Sequence, residues 1–348
     1  MRLALVSDAW VPQVNGVVRT LQATVTEIRR RGCEVVTITP DQFRTMPCPS
    51  YPEIRLAVRS ARAVAQRLSA LDPDAVHIAT EGPLGWAARR WCMAQDRYFT
   101  TSFHTRFPDY VAMRTGLPAT WFWPIMRRFH HPAARVLVAT DTLATELHRH
   151  GLARTHRWSR GVDLDLFSPQ APPLRAMADL PGPIQLYVGR VAVEKNIDAF
   201  LDASTPGTKV VVGDGPARSG LERRFPNARF LGALHGAALA SAYASADVLV
   251  FPSLTDTFGL VMIEALAAGT PVAAFPVAGP LDVIGAAGLG RCGRPVGVLH
   301  NDLAFAIARA LIIDPNDCVT EARAHGWRTC TDQFLRGLTT RTRLPLAA

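Results

Sequence analysis

The sequence predicts an α/β protein in which parallel sheets form two domains. Short apolar runs typical of buried strands alternate with helical patterns along the whole chain, as in α/β folds with parallel sheets. With 348 residues, the chain is long enough for two domains of ordinary size. Residues 169–183 are rich in proline and glycine and have the composition of a linker. We therefore expect domains at residues 1–168 and 169–326, followed by a closing helix and tail at 327–348.

The start of the chain argues against one common class of α/β enzyme. The first predicted elements are a strand at 3–7, a helix at 17–31 and a strand at 35–39. A dinucleotide-binding turn needs G-x-G-x-x-G after the first strand, and residues 8–16 lack it, which argues against an NAD enzyme. Asn15 and Gly16 begin the helix, where they form either a plain N-cap or a set of amides open to a phosphate.

Two segments of the first half combine arginine with apolar residues. After a proline-rich loop at 40–54, residues 55–71 predict a basic helix with an apolar stripe. Residues 117–131 place tryptophans directly beside an arginine pair. Each segment either packs against its own domain or lies on an anionic membrane surface, and both interpretations stay open.

A histidine follows a predicted strand in the first half. Strands are predicted at 75–79, 98–103 and 135–139, with a helix at 142–150. His104 comes directly after the second of these strands, at the end where parallel sheets bind ligands, so it is a candidate ligand contact. The ten histidines show no metal-binding spacing, and the D-x-D at 163–165 is not interpreted as a metal site. We therefore predict no metal.

The second half opens with two cations beside a glycine turn. A strand is predicted at 184–188, and Arg190 and Lys195 follow it around a helix start. Arginine can hold diphosphate oxygens with two parallel hydrogen bonds, while lysine supplies a point charge. This pattern predicts a diphosphate site. A second glycine turn, with Gly213 and Gly215, follows the next predicted strand.

The remaining candidates follow a predicted strand at 248–251. Asp256 lies in the loop after this strand, Gly259 allows a tight turn into a helix, and Glu264 lies about one turn inside it. The free amides at the start of this helix belong to Phe258, Gly259 and Leu260. Such a helix start suits a phosphate, while the two carboxylates can face a sugar and a ribose. A strand at 270–274 and helices at 299–313 and 321–338 complete the prediction.

Composition narrows the class of partner and the compartment. The net charge of +9 favours a polyanionic partner, namely nucleic acid, anionic lipid or a phosphorylated substrate. The six cysteines lie far apart without a C-x-x-C, which predicts reduced thiols in the cytoplasm. No run of about 18 apolar residues occurs, so no membrane span is predicted.

These motifs, in this order, resemble those of retaining glycosyltransferases of family 4. That family has the GT-B fold, in which two Rossmann-like domains face a cleft. Arg190 and Lys195 match its G-R-x-x-x-x-K motif, and Asp256 and Glu264 match its pair of carboxylates eight residues apart. The family usually has Glu at the first carboxylate, where this chain has Asp256.

The resemblance implies roles for individual residues. It implies catalytic roles for His104, Arg190, Lys195 and Asp256. The nucleotide-sugar contacts that it implies are Asn15, Gly16, Arg190, Lys195, Gly213, Gly215, Phe258, Gly259, Leu260 and Glu264. It implies neither a cofactor nor a metal, because the protein's cations neutralise the leaving diphosphate.

The predicted function is transfer of a hexosyl unit from UDP-glucose, UDP-glucuronate or GDP-mannose to an acceptor hydroxyl. The resemblance favours a membrane lipid such as diacylglycerol as acceptor, and hence a peripheral position on the inner face of the cell membrane. One alternative is mannosyl transfer to an oligosaccharide or a polyprenyl-linked acceptor, and another is a nucleotide-sugar epimerase of the same fold. An arginine-rich nucleic-acid-binding protein is the least favoured, because zinc spacings and RNA-binding aromatics are missing.

Overall fold

The protein folds into two compact units, described here from a computed structural model. The structure describes residues 1–13, 15–48, 51–104, 107–108, 111–112, 116–254, 256 and 258–340, with only the backbone at 51–54. One unit is formed by Met1–Ser159 together with the segment from Cys330 onward, and the other by Arg160–Thr329. The tail beyond residue 340 lies outside the described residues.

The first unit is built on a parallel sheet. Its strands are β1 (Arg2–Val6), β2 (Glu34–Ile38), β3 (Thr45–Cys48), β4 (Tyr51–Ala57), β5 (Ala75–Ile78), β6 (Thr100–Phe103), β7 (Arg135–Val138) and β8 (Thr155–Arg157). Six of them form a parallel sheet in the order β2-β1-β5-β6-β7-β8, and β3 and β4 form a separate antiparallel hairpin. The described helices are α1 (Gly16–Arg30), α2 (Ala61–Leu71), α3 (Pro83–Ala94), α4 (Trp123–His130) and α5 (Asp141–Arg149). Parallel strands are covered on both faces, which explains their continuous apolar runs.

The second unit repeats this plan. Its strands are β9 (Ile184–Val188), β10 (Thr208–Val212), β11 (Arg229–Gly232), β12 (Val248–Phe251), β13 (Val272–Ala274) and β14 (Gly297–Leu299), in the parallel order β11-β10-β9-β12-β13-β14. The helices that follow are α6 (Ile197–Asp202), α7 (Arg218–Arg224), α8 (Gly236–Ala244), α9 (Leu260–Ala267), α10 (Ala278–Val283), α11 (Leu303–Ala310) and α12 (Pro315–Ala322). The last helix is α13 (Trp327–Gly337). The two sheets confirm the predicted α/β class.

Each sheet has a point where its strand order reverses. In the first sheet β1 pairs with β2 on one side and β5 on the other, and in the second β9 lies between β10 and β12. Loops after neighbouring strands diverge at such a point and leave a crevice at the carboxyl ends, where α/β proteins bind ligands. The two crevices are therefore formed by the loops after β1, β5, β9 and β12.

Several predicted elements are wrong in detail. The predicted loop at 40–54 contains β3 and the start of β4. The basic helix predicted from Arg55 begins only at Ala61, and Arg55 lies in β4, where its guanidinium donates to the Thr45 hydroxyl at 3.1 Å. Prolines fit in this hairpin because each strand has an edge where no amide is needed.

The helices of the C-terminal part also differ from the prediction. The helix predicted at 299–313 is shorter, since α11 spans Leu303–Ala310 and β14 precedes it. The helix predicted at 321–338 is divided, because α12 ends at Ala322 and α13 begins at Trp327.

The cysteines are free thiols that differ in their burial. Cys92, Cys318 and Cys330 are buried free thiols, and Cys292 is an exposed one. Burial raises the pKa of Cys92 and of Cys318 to about 12. Across the described ranges, no helix combines the length and the apolar character needed to cross a bilayer.

Candidate functional site

The loop after β9 carries both predicted cations. Gly189 has φ +153°, and its amide donates to the Val212 carbonyl at 3.0 Å. The Tyr187 hydroxyl donates to the Arg190 carbonyl at 2.9 Å, which fixes the backbone of the arginine. Burial raises the pKa of Tyr187, and the charges of Asp256 and Glu194 raise it further, so this hydroxyl stays a neutral donor.

The second glycine turn packs directly against this loop. A Cβ on Gly213, which has φ +146°, would lie 1.8 Å from the Gly189 carbonyl oxygen. A Cβ on Gly215, at φ +156°, would lie 2.4 Å from the Val191 carbonyl oxygen. The Val191 amide in turn donates to the Asp214 carbonyl at 2.9 Å. Both glycines are therefore required for backbone packing, and they give the cation-bearing loop a rigid support.

Lys195 and Asp256 form an ion pair where the strand order of the second sheet reverses. The lysine Nζ lies 2.6 Å from Oδ1 of Asp256, and the two side chains are 24% and 27% exposed. The neighbouring Asn196 adopts a left-handed backbone conformation and donates from Nδ2 to the Pro252 carbonyl at 3.2 Å. The loops after β9 and β12 are thus joined twice, once by charge and once by an amide.

The predicted tight turn into a helix is present after Asp256. Gly259 has φ +81°, and a Cβ there would lie 2.9 Å from both Met262 and the Phe251 ring. Helix α9 begins at Leu260, so the first amides of this helix open toward the carboxyl end of the sheet. Phe258 is buried at 4% exposure, and its backbone, not its ring, can face a ligand.

Glu264 is a buried carboxylate inside α9. It is 3% exposed, and its Oε2 accepts a hydrogen bond from the Tyr243 hydroxyl at 2.9 Å. Sequence reasoning identified Glu264 but missed Tyr243, because the two lie 21 residues apart on different helices. The tyrosine orients the carboxylate and satisfies one of its oxygens.

In the first unit, Asn15 is the N-cap of α1. Its Oδ1 accepts from the amides of Val17 and Val18, each at 3.0 Å. This geometry corresponds to the plain N-cap interpretation for the asparagine. Gly16 is the first residue of the helix, and its role toward a phosphate stays a prediction.

His104 lies directly after β6, as predicted. It is 7% exposed, and its ring meets the edge of Trp158 at a centroid distance of 5.4 Å. Trp158 is fully buried against Phe334 of α13. The imidazole is therefore held in a packed aromatic setting, and residues 105–106, which follow it, lie outside the described residues.

Sequence reasoning missed Asp8, which follows β1. Its carboxylate accepts from the amides of Leu84 at 2.9 Å and Gly85 at 3.2 Å, and from the Thr80 hydroxyl at 3.0 Å. Burial raises the pKa of Asp8 to about 6, the nearby charge of Glu81 adds to this rise, and the three hydrogen bonds oppose it. A lone acid after the first strand was the available signal.

The aromatic segment at 117–131 divides between core and surface. Trp123 is 6% exposed and stacks on Phe103 at 6.0 Å, while Trp121 is 64% and Ile125 47% exposed. Trp121 lies just before α4, and Arg127 and Arg128 are exposed on α4 together with Ile125. In α2, by contrast, Val64 and Leu68 are fully buried in the core of the unit.

No metal centre can be built from the side chains that the structure describes. Within those ranges, no three His, Cys, Asp or Glu residues are grouped so as to hold an ion.

Two doubly covered parallel sheets, each with its loops at the carboxyl edge, are the architecture of the GT-B glycosyltransferases. The similarity of the sequence to known protein families agrees with this class. Residues 14–166 match Glycosyltransferase Family 4, and residues 182–312 match Glycosyl transferases group 1. The chain belongs to glycosyltransferase family 4, and it is a nucleotide-sugar-dependent retaining glycosyltransferase.

Individual relatives span almost the whole chain. A GDP-mannose-dependent alpha-mannosyltransferase of Mycolicibacterium smegmatis is 35% identical over 86% of this chain and 88% of its own length. An alpha-monoglucosyldiacylglycerol synthase of Streptococcus pneumoniae is 26% identical over 91% of this chain and 79% of its own. Among solved structures, a sucrose-phosphate synthase from Thermosynechococcus elongatus superimposes with a TM-score of 0.77. The match covers 96% of this chain and 97% of that protein, at 21% identity, and it shows the shared fold.

Proposed function

We propose that the protein transfers an α-mannosyl unit from GDP-mannose to a hydroxyl of a membrane lipid. The choice of donor is supported by the similarity to the GDP-mannose-dependent relative, which extends over both units. The observation that carries the assignment is the meeting of Lys195, Asp256 and the start of α9 at the carboxyl edge of the second sheet. The second unit then binds the donor and the first unit the acceptor.

The proposed chemistry depends on charge stabilisation. As the sugar–phosphate bond breaks, negative charge grows on the diphosphate, and Lys195 and Arg190 lie at the loop that would receive it. The first amides of α9 add a positive helix end. The acceptor hydroxyl attacks from the face of the leaving group, and a phosphate oxygen takes its proton, so the anomeric configuration is retained.

Other residues are proposed to orient the donor. Glu264, held by Tyr243, would accept the ribose hydroxyls, and Asp256 would accept hydroxyls of the sugar. Gly213 and Gly215 would bring backbone close to the nucleotide. For His104 the proposed contact with the sugar rests on the family resemblance. Since Lys195 and Arg190 neutralise the diphosphate, we propose that no metal is needed.

A lipid acceptor is supported by the surface of the first unit. Trp121 and Ile125 expose large apolar side chains beside Arg127 and Arg128, a combination suited to an anionic bilayer surface. We therefore propose a peripheral position on the inner face of the cell membrane. Flotation with anionic and neutral liposomes tests this, and a protein that floats with neither would contradict it.

A second candidate is glucosyl transfer to diacylglycerol. It is favoured by the similarity to the synthase of Streptococcus pneumoniae, whose name states that product. A thermal-shift screen of GDP-mannose, UDP-glucose and ADP-glucose separates the two candidates. A ligand that binds the folded state stabilises it more, the higher its concentration is relative to its dissociation constant.

The assignment is tested by replacing Lys195 with methionine. We expect Lys195→Met to reduce transfer roughly 100- to 1,000-fold, because it removes a charge that acts on the leaving group. The melting temperature should fall by no more than about 3 °C, since the lost ion pair is partly exposed. Arg223, an exposed cation of α7, offers the matched control, and Arg223→Met should transfer as the wild type does. Wild-type turnover by Lys195→Met would reject the proposed function.

A further inference from the structure

The Lys195–Asp256 ion pair places a carboxylate where the donor diphosphate is proposed to bind. Nζ of Lys195 and Oδ1 of Asp256 are 2.6 Å apart, which is a close charge-assisted hydrogen bond. Both side chains are about a quarter exposed, so an incoming solute can reach them.

The loops on each side hold this pair in place. Asn196 ties the lysine loop to the Pro252 carbonyl, and the Tyr187 hydroxyl ties it to the backbone of Arg190. On the other side, a Cβ on Gly279 would lie 2.8 Å from the Asp256 carbonyl oxygen, so α10 packs closely against the aspartate. These contacts hold the backbone at Asn196 and at Asp256, and the side chains of Lys195 and Asp256 are the parts that can change partners.

We propose that Asp256 is the resting counter-ion of Lys195, and that donor binding exchanges this ion pair. The diphosphate takes the place of the carboxylate on Lys195, and the released carboxylate accepts hydrogen bonds from hydroxyls of the sugar. This proposal rests on the proposed function, because it assigns the diphosphate to Lys195.

The exchange makes Asp256 a residue that discriminates between ligands. A sugar nucleotide brings hydroxyl donors that satisfy the released carboxylate. A bare pyrophosphate brings none, and it leaves a carboxylate next to an anion without a partner, which is unfavourable in a partly buried site. The pair therefore weakens the binding of anions that lack a sugar.

The test compares Asp256→Asn with Glu194→Gln. Both variants remove one negative charge near Lys195, and both carboxylates lie close enough to Tyr187 to raise its pKa. In the described part of the chain, however, the ion pair of Lys195 is with Asp256 and not with Glu194. Binding of inorganic pyrophosphate is measured by calorimetry without divalent cations, and the binding and turnover of GDP-mannose are measured in parallel.

We expect Asp256→Asn to bind pyrophosphate roughly 3- to 10-fold more tightly than the wild type, since the competing carboxylate is gone. Glu194→Gln should stay within about 2-fold of the wild type, because long-range charge alone is screened. For GDP-mannose, Asp256→Asn should show no such gain and a lower turnover number. If Asp256→Asn does not fold, Asp256→Ser takes its place with the same expectation.

Failure of this inference differs from failure of the proposed function. If Lys195→Met loses pyrophosphate but Asp256→Asn binds it no better than the wild type, the exchange is wrong and the diphosphate site stands. Equal tightening in Glu194→Gln would also overturn the exchange. If Asp256→Asn binds pyrophosphate and the wild type does not, the exchange is supported. If neither protein binds it, or Lys195→Met binds it as the wild type does, the proposed function itself is rejected.

Discussion

The two sheets both place a carboxylate where their strand order reverses, but the two carboxylates have opposite surroundings. In the first unit Asp8 is 6% exposed and accepts hydrogen bonds from Thr80 and from two amides of α3. In the second, Asp256 is 27% exposed at its side chain and faces Lys195. Topology therefore brings a carboxylate to the carboxyl edge of each sheet, called the first edge and the second edge below. The degree of burial determines which partners each carboxylate can bind.

The difference separates a structural group from an exchangeable one. The partners of Asp8 are backbone amides and a hydroxyl that belong to the fold, and their loss would leave a buried acid unsatisfied. The partner of Asp256 is the flexible side chain of Lys195, which can instead form an ion pair with a more highly charged anion. Of these two carboxylates, Asp256 is the one that can respond to a charged ligand without a rearrangement of the backbone.

The largest effect is expected where the second edge is built from backbone. Gly213→Ala would place a Cβ 1.8 Å from the Gly189 carbonyl oxygen at a φ of +146°. We expect a loss of about 3–5 kcal/mol in the free energy of unfolding, measured with urea, and loss of donor binding.

Gly220 in α7 is the matched control, because an added Cβ there meets no atom within 4 Å. Gly220→Ala should be neutral or more stable by up to about 1 kcal/mol. If Gly213→Ala were as stable as this control, the rigid backbone support of the second edge would be disproved.

The next prediction concerns the sealed carboxylate of the first edge. The pKa of Asp8 is raised from its usual 3.8 to about 6, so the folded state holds the proton more tightly than the unfolded chain. Its contribution to stability is therefore present below pH 3.8 and is lost as the pH rises through 6. Relative to Asp8→Asn, the wild type should lose about 2 kcal/mol of unfolding free energy between pH 4 and pH 7.

Urea unfolding of both proteins across this pH range makes the measurement, and the difference between them removes the titration of all other groups. Parallel curves would mean that burial does not raise the pKa of Asp8, and the contrast between the two edges would disappear.

The smallest effect is expected at Tyr243. Tyr243→Phe removes the hydrogen bond to Glu264 and leaves a buried carboxylate oxygen without this donor, at a cost of about 1–2 kcal/mol. We also expect weaker donor binding, because Glu264 loses its orientation. Tyr98, which is 68% exposed, provides the comparison, and Tyr98→Phe should change stability by less than about 0.5 kcal/mol. Unchanged donor affinity in Tyr243→Phe would place Glu264 among the structural carboxylates with Asp8.

The strands could be predicted because a strand that is buried on both faces appears in the sequence as a continuous apolar run. The predicted strands at 184–188 and 248–251 coincide with β9 and β12. The hairpin of β3 and β4 was not predictable in this way, since Pro47 and Pro52 indicated a loop and each strand pairs on one side only. Sequence patterns thus predict central strands better than edge strands.

The site residues were predictable one by one but not their partners. Lys195 and Asp256 were both identified, yet their ion pair joins positions 61 residues apart. Asp8 was missed, because its amide partners lie 76 and 77 residues further along the chain. Local motifs reveal which chemistry a loop carries, and only the fold reveals whether another loop already satisfies it.

The Lys195–Asp256 pair has a consequence for the ions that surround the protein in a cell. A carboxylate anchored on a neighbouring loop acts at a high effective concentration, in the millimolar range or above even for flexible tethers. Chloride and free phosphate, which bind as separate particles, must compete with a partner that never diffuses away. In the proposed exchange, this ion pair therefore shields the diphosphate site from common inorganic anions between turnovers, with no lid required.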